Sequence, residues 1–114
     1  MARLMPDPGK LRHQLEVQVR SNEQDEYGAA VDTWPDVEQT IWARTEPLTG
    51  RELLQAQTIV AEATVRITCR WFDGLTAAKR FRRKEDPERV YEILHVSLPD
   101  EIRAFYEVLC KEAV

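Results

Sequence analysis

His95 and Ser97 stand two apart, a spacing that puts both side chains on one face of a strand, where an imidazole could activate a hydroxyl. Neighbours on a pleated face arise constantly by chance, however, and the pair has no supporting context. Ser97 and Ser21 are the two serines, and no Gly-x-Ser-x-Gly turn holds either of them. His13, Cys69, His95 and Cys110 could each ligate a metal, but they are single residues on separate segments, without the close pairs that mark zinc sites. Ordinary core packing accounts for them. Gly9, Gly28, Gly50 and Gly74 are isolated at four candidate turns, so no phosphate-cradling loop is formed. The acidic residues are scattered over solvent faces, and no two are marked as an acid and base. The sequence predicts no catalytic residue, no metal site and no cofactor, and the chain is not expected to be an enzyme.

One cluster of charge stands out. Five of the six residues from Lys79 to Lys84 are basic: Lys79, Arg80, Arg82, Arg83 and Lys84, with Phe81 between them. Three readings are open. With Trp71, Phe72 and Phe81 nearby, the run could combine phosphate contacts with base stacking, as small barrels that bind single strands do. It could be a docking patch for an acidic surface on a partner or a second subunit. It could also be a solvated strand. The chain as a whole carries a net charge of −4, with Glu23, Asp25, Glu26, Asp32, Asp36 and Glu38 concentrated after the first strand. That balance argues against nucleic-acid binding as the main task.

The elements that position these groups follow from periodicity. Leu11, His13, Leu15, Val17 and Val19 alternate with Arg12, Gln14, Glu16, Gln18 and Arg20, which predicts a half-buried strand. Residues 21–32 are mostly polar, include Gly28, and read as a long connection. A second strand is expected over 33–48, with Val37, Gln39, Ile41, Ala43 and Thr45 on one face and Trp42 and Arg44 on the other. Trp42 is then a residue of a second core face or an exposed anchor, and core is the preferred reading. The alternation stops at Pro47, which removes a backbone donor and holds Glu46 extended. Thr49 and Glu52 have capping-box spacing and predict a short helix from Gly50 to about Ile59, carrying Leu53, Leu54, Ala56 and Gln57. Such an insertion is a capped turn between strands or a projection whose Arg51 and Glu52 face a partner.

Alternation returns over 60–71, with Ala61, Ala63, Val65, Ile67, Cys69 and Trp71 on the apolar face. Asp73-Gly74 signals a turn, a short strand is expected over 81–84, and Val90 to Leu98 is another β-rich run broken at Pro99-Asp100. Residues 102–112 fit either a helical stripe or a strand. A closing strand that removes an exposed sheet edge is the more economical choice. The expected fold is mainly β, a small antiparallel β-barrel or sandwich with one short inserted helix and a long loop. Residues 1–10 form an N-terminal arm, and 11–114 form one domain with the inserted loop and helix at about 45–58. At 114 residues such a domain buries enough surface to fold without staples. No apolar run approaches a membrane span, and the first residues lack a signal-peptide core, so a cytoplasmic location in the producing cell is expected. Cys69 and Cys110 read as buried free thiols.

The order and spacing of the motifs resemble the phage head-tail joining family, the head-closure or stopper proteins of long-tailed phages. The resemblance runs from about Gly9 to Glu112. It is carried by Gly9-Lys10-Leu11-Arg12-His13, Asp25-x-x-Gly28, Thr33-Trp34, Ile41-Trp42-Ala43, the block Glu46-Pro47-Leu48-Thr49-Gly50-Arg51-Glu52 followed by Ala56-Gln57, then Arg70-Trp71, Val90-Tyr91-Glu92-Ile93 and Leu109-Cys110-x-Glu112. It implies a dodecameric ring beneath the portal and adaptor proteins, holding packaged DNA in the capsid without sequence specificity. The far side of the ring would meet a tail-completion or tail-tube protein. In such proteins the loop between the middle strands can project into the channel, which maps onto residues 45–58. Thr49, Gly50, Arg51, Glu52 and Gln55 are then the expected channel or partner contacts, and Lys79, Arg80, Arg82, Arg83 and Lys84 the expected docking edge for a neighbour or the adaptor. The expected locations are the host cytoplasm during assembly and the virion neck. The rival expectations are a stand-alone nucleic-acid-binding β-barrel and another neck or tail-completion protein.

Overall fold

In the computed structural model, residues 11–20, 26–28, 34, 36–98 and 104–113 are described. The expected N-terminal arm, most of the connection over 21–32 and the break at Pro99-Asp100 lie outside these residues. The elements are β1 (His13–Val19), β2 (Asp36–Pro47), α1 (Gly50–Ile59), β3 (Val65–Arg70), β4 (Lys79–Arg83), β5 (Val90–Ser97) and β6 (Phe105–Ala113). The ambiguous C-terminal segment is thus a strand. It pairs antiparallel with both β3 and β5, and β1 pairs with β4, so the six strands close in the order β1-β2-β3-β6-β5-β4. Closure explains why the strand pattern prevailed over the helical one: as a strand, residues 105–113 satisfy the edges of two neighbours at once.

The alternation seen in the sequence fills the barrel. Leu15, Val17, Ala43, Val65, Ile67, Cys69, Phe81, Tyr91, Ile93, Val108 and Cys110 are buried in one inner core. Registers such as Val17 opposite Phe81 and Phe81 opposite Tyr91 stack large side chains against one another across the strands. Each fully buried Leu or Phe contributes about 1.5–3 kcal/mol. Both thiols lie within this core; burial pushes the Cys69 thiol up to about 12 and raises that of Cys110 as well. They are free cysteines.

Two irregularities break the strict period. The β1–β2 register skips Glu38 between Gln39 and Val37, and the β5–β6 register skips Leu94 between Ile93 and His95. One extra residue turns every later side chain to the other face. Val37, expected to share the face of Gln39, Ile41 and Ala43, is exposed for this reason. The core reading of Trp42 is also overturned. It sits on the outer face opposite Gln14 and is 53% exposed.

The ends of the barrel differ. At one end, the segment after β3 folds inward, so that Trp71, Phe72 and Leu75 pack against Tyr106, Val96 and Leu98. Tyr106 stacks with Trp71 at 6.4 Å, meets Phe72 edge-on at 5.5 Å, and donates its hydroxyl to the Phe72 carbonyl at 2.7 Å. At the other end, the inward positions are taken by His13, Thr45 and Arg83, and Tyr91 reaches the same region from β5. No helix among the described residues is long and apolar enough to cross a membrane.

Candidate functional site

The insertion after β2 forms a regular helix with the predicted bounds, but its start is built differently from the expected capping box. Thr49 is extended and makes no side-chain cap bond, while the backbone of Gly50 has φ of +55°. A glycine is needed there, because that left-handed turn is strained for any residue with a Cβ. Glu52 lies 3.6 Å from Arg66 on β3, which draws its carboxylate away from the residue 49 amide. Arg66 also pairs with Glu46 at 3.5 Å, so the helix start is tied to the barrel wall by charge.

One face of α1 is docked. Ala56, Leu53 and Val60 pack with Leu48, Ala63 and Leu109 in a second apolar cluster. Leu109 follows Val108 and precedes Cys110, both in the barrel core, so it faces outward and the helix lies against the outside of the wall. Gln57 donates to the Ala63 carbonyl at 3.3 Å and closes the return to β3. The opposite face carries Arg51, Leu54, Gln55, Thr58 and Ile59, all exposed, with Leu54 at 68% and Ile59 at 61%. Thr49, Gly50, Arg51, Glu52 and Gln55 thus form an exposed group around the first turns of α1.

The basic run is split by the pleat. Phe81 points into the core, and Lys79 and Arg83 share its parity, whereas Arg80 and Arg82 alternate to the outer face. Lys79 pairs with Glu38, the extra residue of the β2 bulge. Arg82 meets Glu16 at 3.1 Å on the neighbouring strand. Arg80 donates to Gln18 Oε1 at 2.8 Å and lies 4.6 Å over the ring of Trp34. Gln18 is only 1% exposed, a buried amide that the sequence pattern had assigned to the solvent face. Arg83 donates Nη2 to the Thr45 hydroxyl at 2.9 Å and meets no carboxylate among the described residues. Lys84 is exposed.

The other candidate groups stay apart. Ser97 donates its hydroxyl to the Glu107 carbonyl at 3.1 Å, a structural bond across β5 and β6. Among the described residues no group of three or more His, Cys, Asp or Glu side chains could hold a metal ion.

A six-stranded closed barrel with a helix laid on its wall can serve many tasks, and comparison with known proteins narrows them. The family model described as phage head completion protein matches residues 6–113. The chain belongs to the phage head completion protein family. The match spans all six strands and α1, so it covers the barrel and the helix as one unit. Among the family's relatives, the head completion protein gp7 of Enterobacteria phage HK97 is 25% identical over 107 residues, covering 92% of this chain and 95% of that one. The solution structure of protein SF1141 from Shigella flexneri 2a is similar with a TM-score of 0.74 at 30% identity, over 96% of this chain and 98% of that one. A chain in the virion of a native gene transfer agent particle shares the fold, with a TM-score of 0.59 at 18% identity over 90% and 96% of the two chains.

Proposed function

We propose that this head completion protein acts at the DNA-exit vertex of a phage or prophage particle. Copies assemble there as a ring beneath the portal and adaptor, retain the packaged DNA and present the surface on which the tail attaches. The observation that carries this reading is the family match over 6–113, across a barrel that leaves one face of α1 uncovered. The exposed face of α1 carries Arg51, Gln55 and Thr58 along its middle with Leu54 and Ile59 on its two flanks, so it can offer apolar area and hydrogen-bonding groups together to another protein. The action is mechanical: packed helices narrow an opening, and a shift in their packing widens it. The acidic balance of the chain suits a passage through which DNA slides, since carboxylates hold phosphates weakly.

Lys79, Arg80, Arg82, Arg83 and Lys84 enter this reading as a docking edge, chiefly through the outer face of β4 and the exposed Lys84. The carboxylate partners of Lys79 and Arg82 lower the free positive charge of the strand, which favours protein docking over nucleic-acid binding. The test is assembly in the producing strain. Without the gene, heads should fill and then lose their DNA, and tails should accumulate unattached. Leu54→Asp with Ile59→Asp should reproduce that phenotype in a protein that folds normally. Full, infectious particles made in the absence of the protein would overturn the proposal.

A further inference from the structure

The polar end of the barrel holds more donors than it uses. His13 Nδ1, Arg83 Nε and the Tyr91 hydroxyl are buried there without a hydrogen-bond partner among the described residues, and Tyr91 is only 1% exposed. Buried polar atoms are almost always paired, so three unpaired ones in one neighbourhood are unusual. Their proximity follows from the register. Leu15 stands opposite Arg83, His13 lies two residues from Leu15 on the same face, and Phe81, two residues before Arg83, stands opposite Tyr91. A cleft of about 350 Å³ is lined by Arg12, His13, Arg44 and Thr45, so His13 borders it directly and Arg83 reaches its lining through Thr45.

Thr45 links the two layers. Its hydroxyl oxygen accepts from Arg83 Nη2, which leaves the hydroxyl proton free to be donated into the cleft. The lining therefore offers the Arg12 guanidinium, the remaining donors of Arg44 beside Glu46, an imidazole and a hydroxyl donor, next to a third guanidinium, Arg83, that has no carboxylate among the described residues. Carboxylates stand close by: Glu46 pairs with Arg44 of the lining at 3.1 Å and with Arg66 at 3.5 Å, and Glu112 accepts from Arg89 at 2.8 Å. Glu85 stands 4.0 Å from His13 Nδ1, at the rim.

We propose that this mouth is a receptor for a small oxyanion, held by Arg12, Arg44 and the Thr45 hydroxyl, with His13 and Arg83 completing the site beneath. Oxyanions match the set because they supply acceptors alone, where every group present can donate. Free phosphate and a carboxylate on an acidic protein segment share this chemistry.

The experiment is a titration of the whole chain followed by the ring resonances of His13, with inorganic phosphate, with acetate, and with a short glutamate-rich peptide, at constant ionic strength. Saturable shifts of His13, weakened about tenfold by Arg12→Gln, are expected. Arg12 is exposed, so that variant folds, and Thr45→Val supplies a second probe that removes the donor at the junction. Saturation by phosphate well below acetate identifies free phosphate as the ligand. Saturation by the peptide well below both identifies a protein carboxylate. Drift of His13 without saturation for all three probes, or equal binding by wild type and both variants, overturns the proposal.

Discussion

The two ends of the barrel are closed by opposite means. At one, Tyr106 is clasped between Trp71 and Phe72, and its hydroxyl is satisfied by the Phe72 carbonyl. At the other, a tyrosine of equal size, Tyr91, is as deeply buried yet its hydroxyl has no partner among the described residues, and Arg83 Nε and His13 Nδ1 share that condition. The same residue type is therefore a stabilising plug at one end and a polar group held at some cost at the other. The difference lies in what the chain supplies beside each ring. The segment after β3 brings a backbone carbonyl to Tyr106, whereas the ends of β1, β2 and β4 bring mostly donors to Tyr91. One end serves stability, and the other keeps hydrogen-bonding capacity in reserve.

Removing the plug is the most severe way to test this contrast. Tyr106→Ala should destabilise the fold by about 3–5 kcal/mol in chemical denaturation. A loss below about 1 kcal/mol, the range of surface substitutions and mild repacking, would mean that the aromatic end does not hold the barrel shut.

A finer comparison deletes a single oxygen at each end. Tyr106→Phe should cost about 1 kcal/mol, while Tyr91→Phe should be neutral or slightly stabilising, because an unmade bond is not lost. Equal losses for the two variants would show that Tyr91 has a partner in solution and that the ends are alike.

The smallest effect is a dependence on pH confined to the polar end. Burial, with Arg83 beside it and Arg89 and Arg12 further off, holds His13 below its ordinary value of 6.5, against the opposing pull of Glu85. The unfolded chain therefore takes up this proton first on acidification. Stability should be intact above pH 6.5, fall as the pH drops below it, and level off below the lowered folded value. His13→Phe should flatten that part of the profile, as read from denaturation midpoints between neutral and mildly acid pH.

Much of the architecture was legible in the sequence because most strands carry an unbroken period of two. Leu15 and Val17, and Val65, Ile67 and Cys69, were assigned to the core from alternation alone and are buried there. The helix after Pro47 was legible from its stop and start signals. The failures have local causes. No propensity marks Glu38 or Leu94 as an extra residue, so the reversed face at Val37 could not be read from the pattern. The capping box failed because Arg66, distant in sequence, competes for Glu52. Trp42 misled because size usually predicts burial, and nothing along the chain says which wall of a barrel lacks a second layer.

The candidate site was legible in part. The exposed first turns of α1 coincide with the segment that broke the alternation. The spacing of the basic run carries a further signal. Phe81 at its centre had to face inward, and this fixes Lys79 and Arg83 on the same side. Reading the run as one charged patch hid the arginine now found at the barrel mouth. The buried amide of Gln18 gave no warning, since its burial depends on Arg80 and Trp34 meeting above it.

Each of the six strands has a hydrogen-bonded neighbour on both sides, so the barrel has no free edge strand, and one-sided pairing is confined to short stretches such as 36–42 of β2 and 93–97 of β5. Joining by β-augmentation, by another copy or by a stray polypeptide, is limited to those stretches. Many subunits can then be crowded together without seeding fibrils, the usual hazard of β-rich proteins at high local concentration. Contacts made by side chains on the outer wall can be altered in strength and specificity one surface residue at a time without disturbing strand pairing.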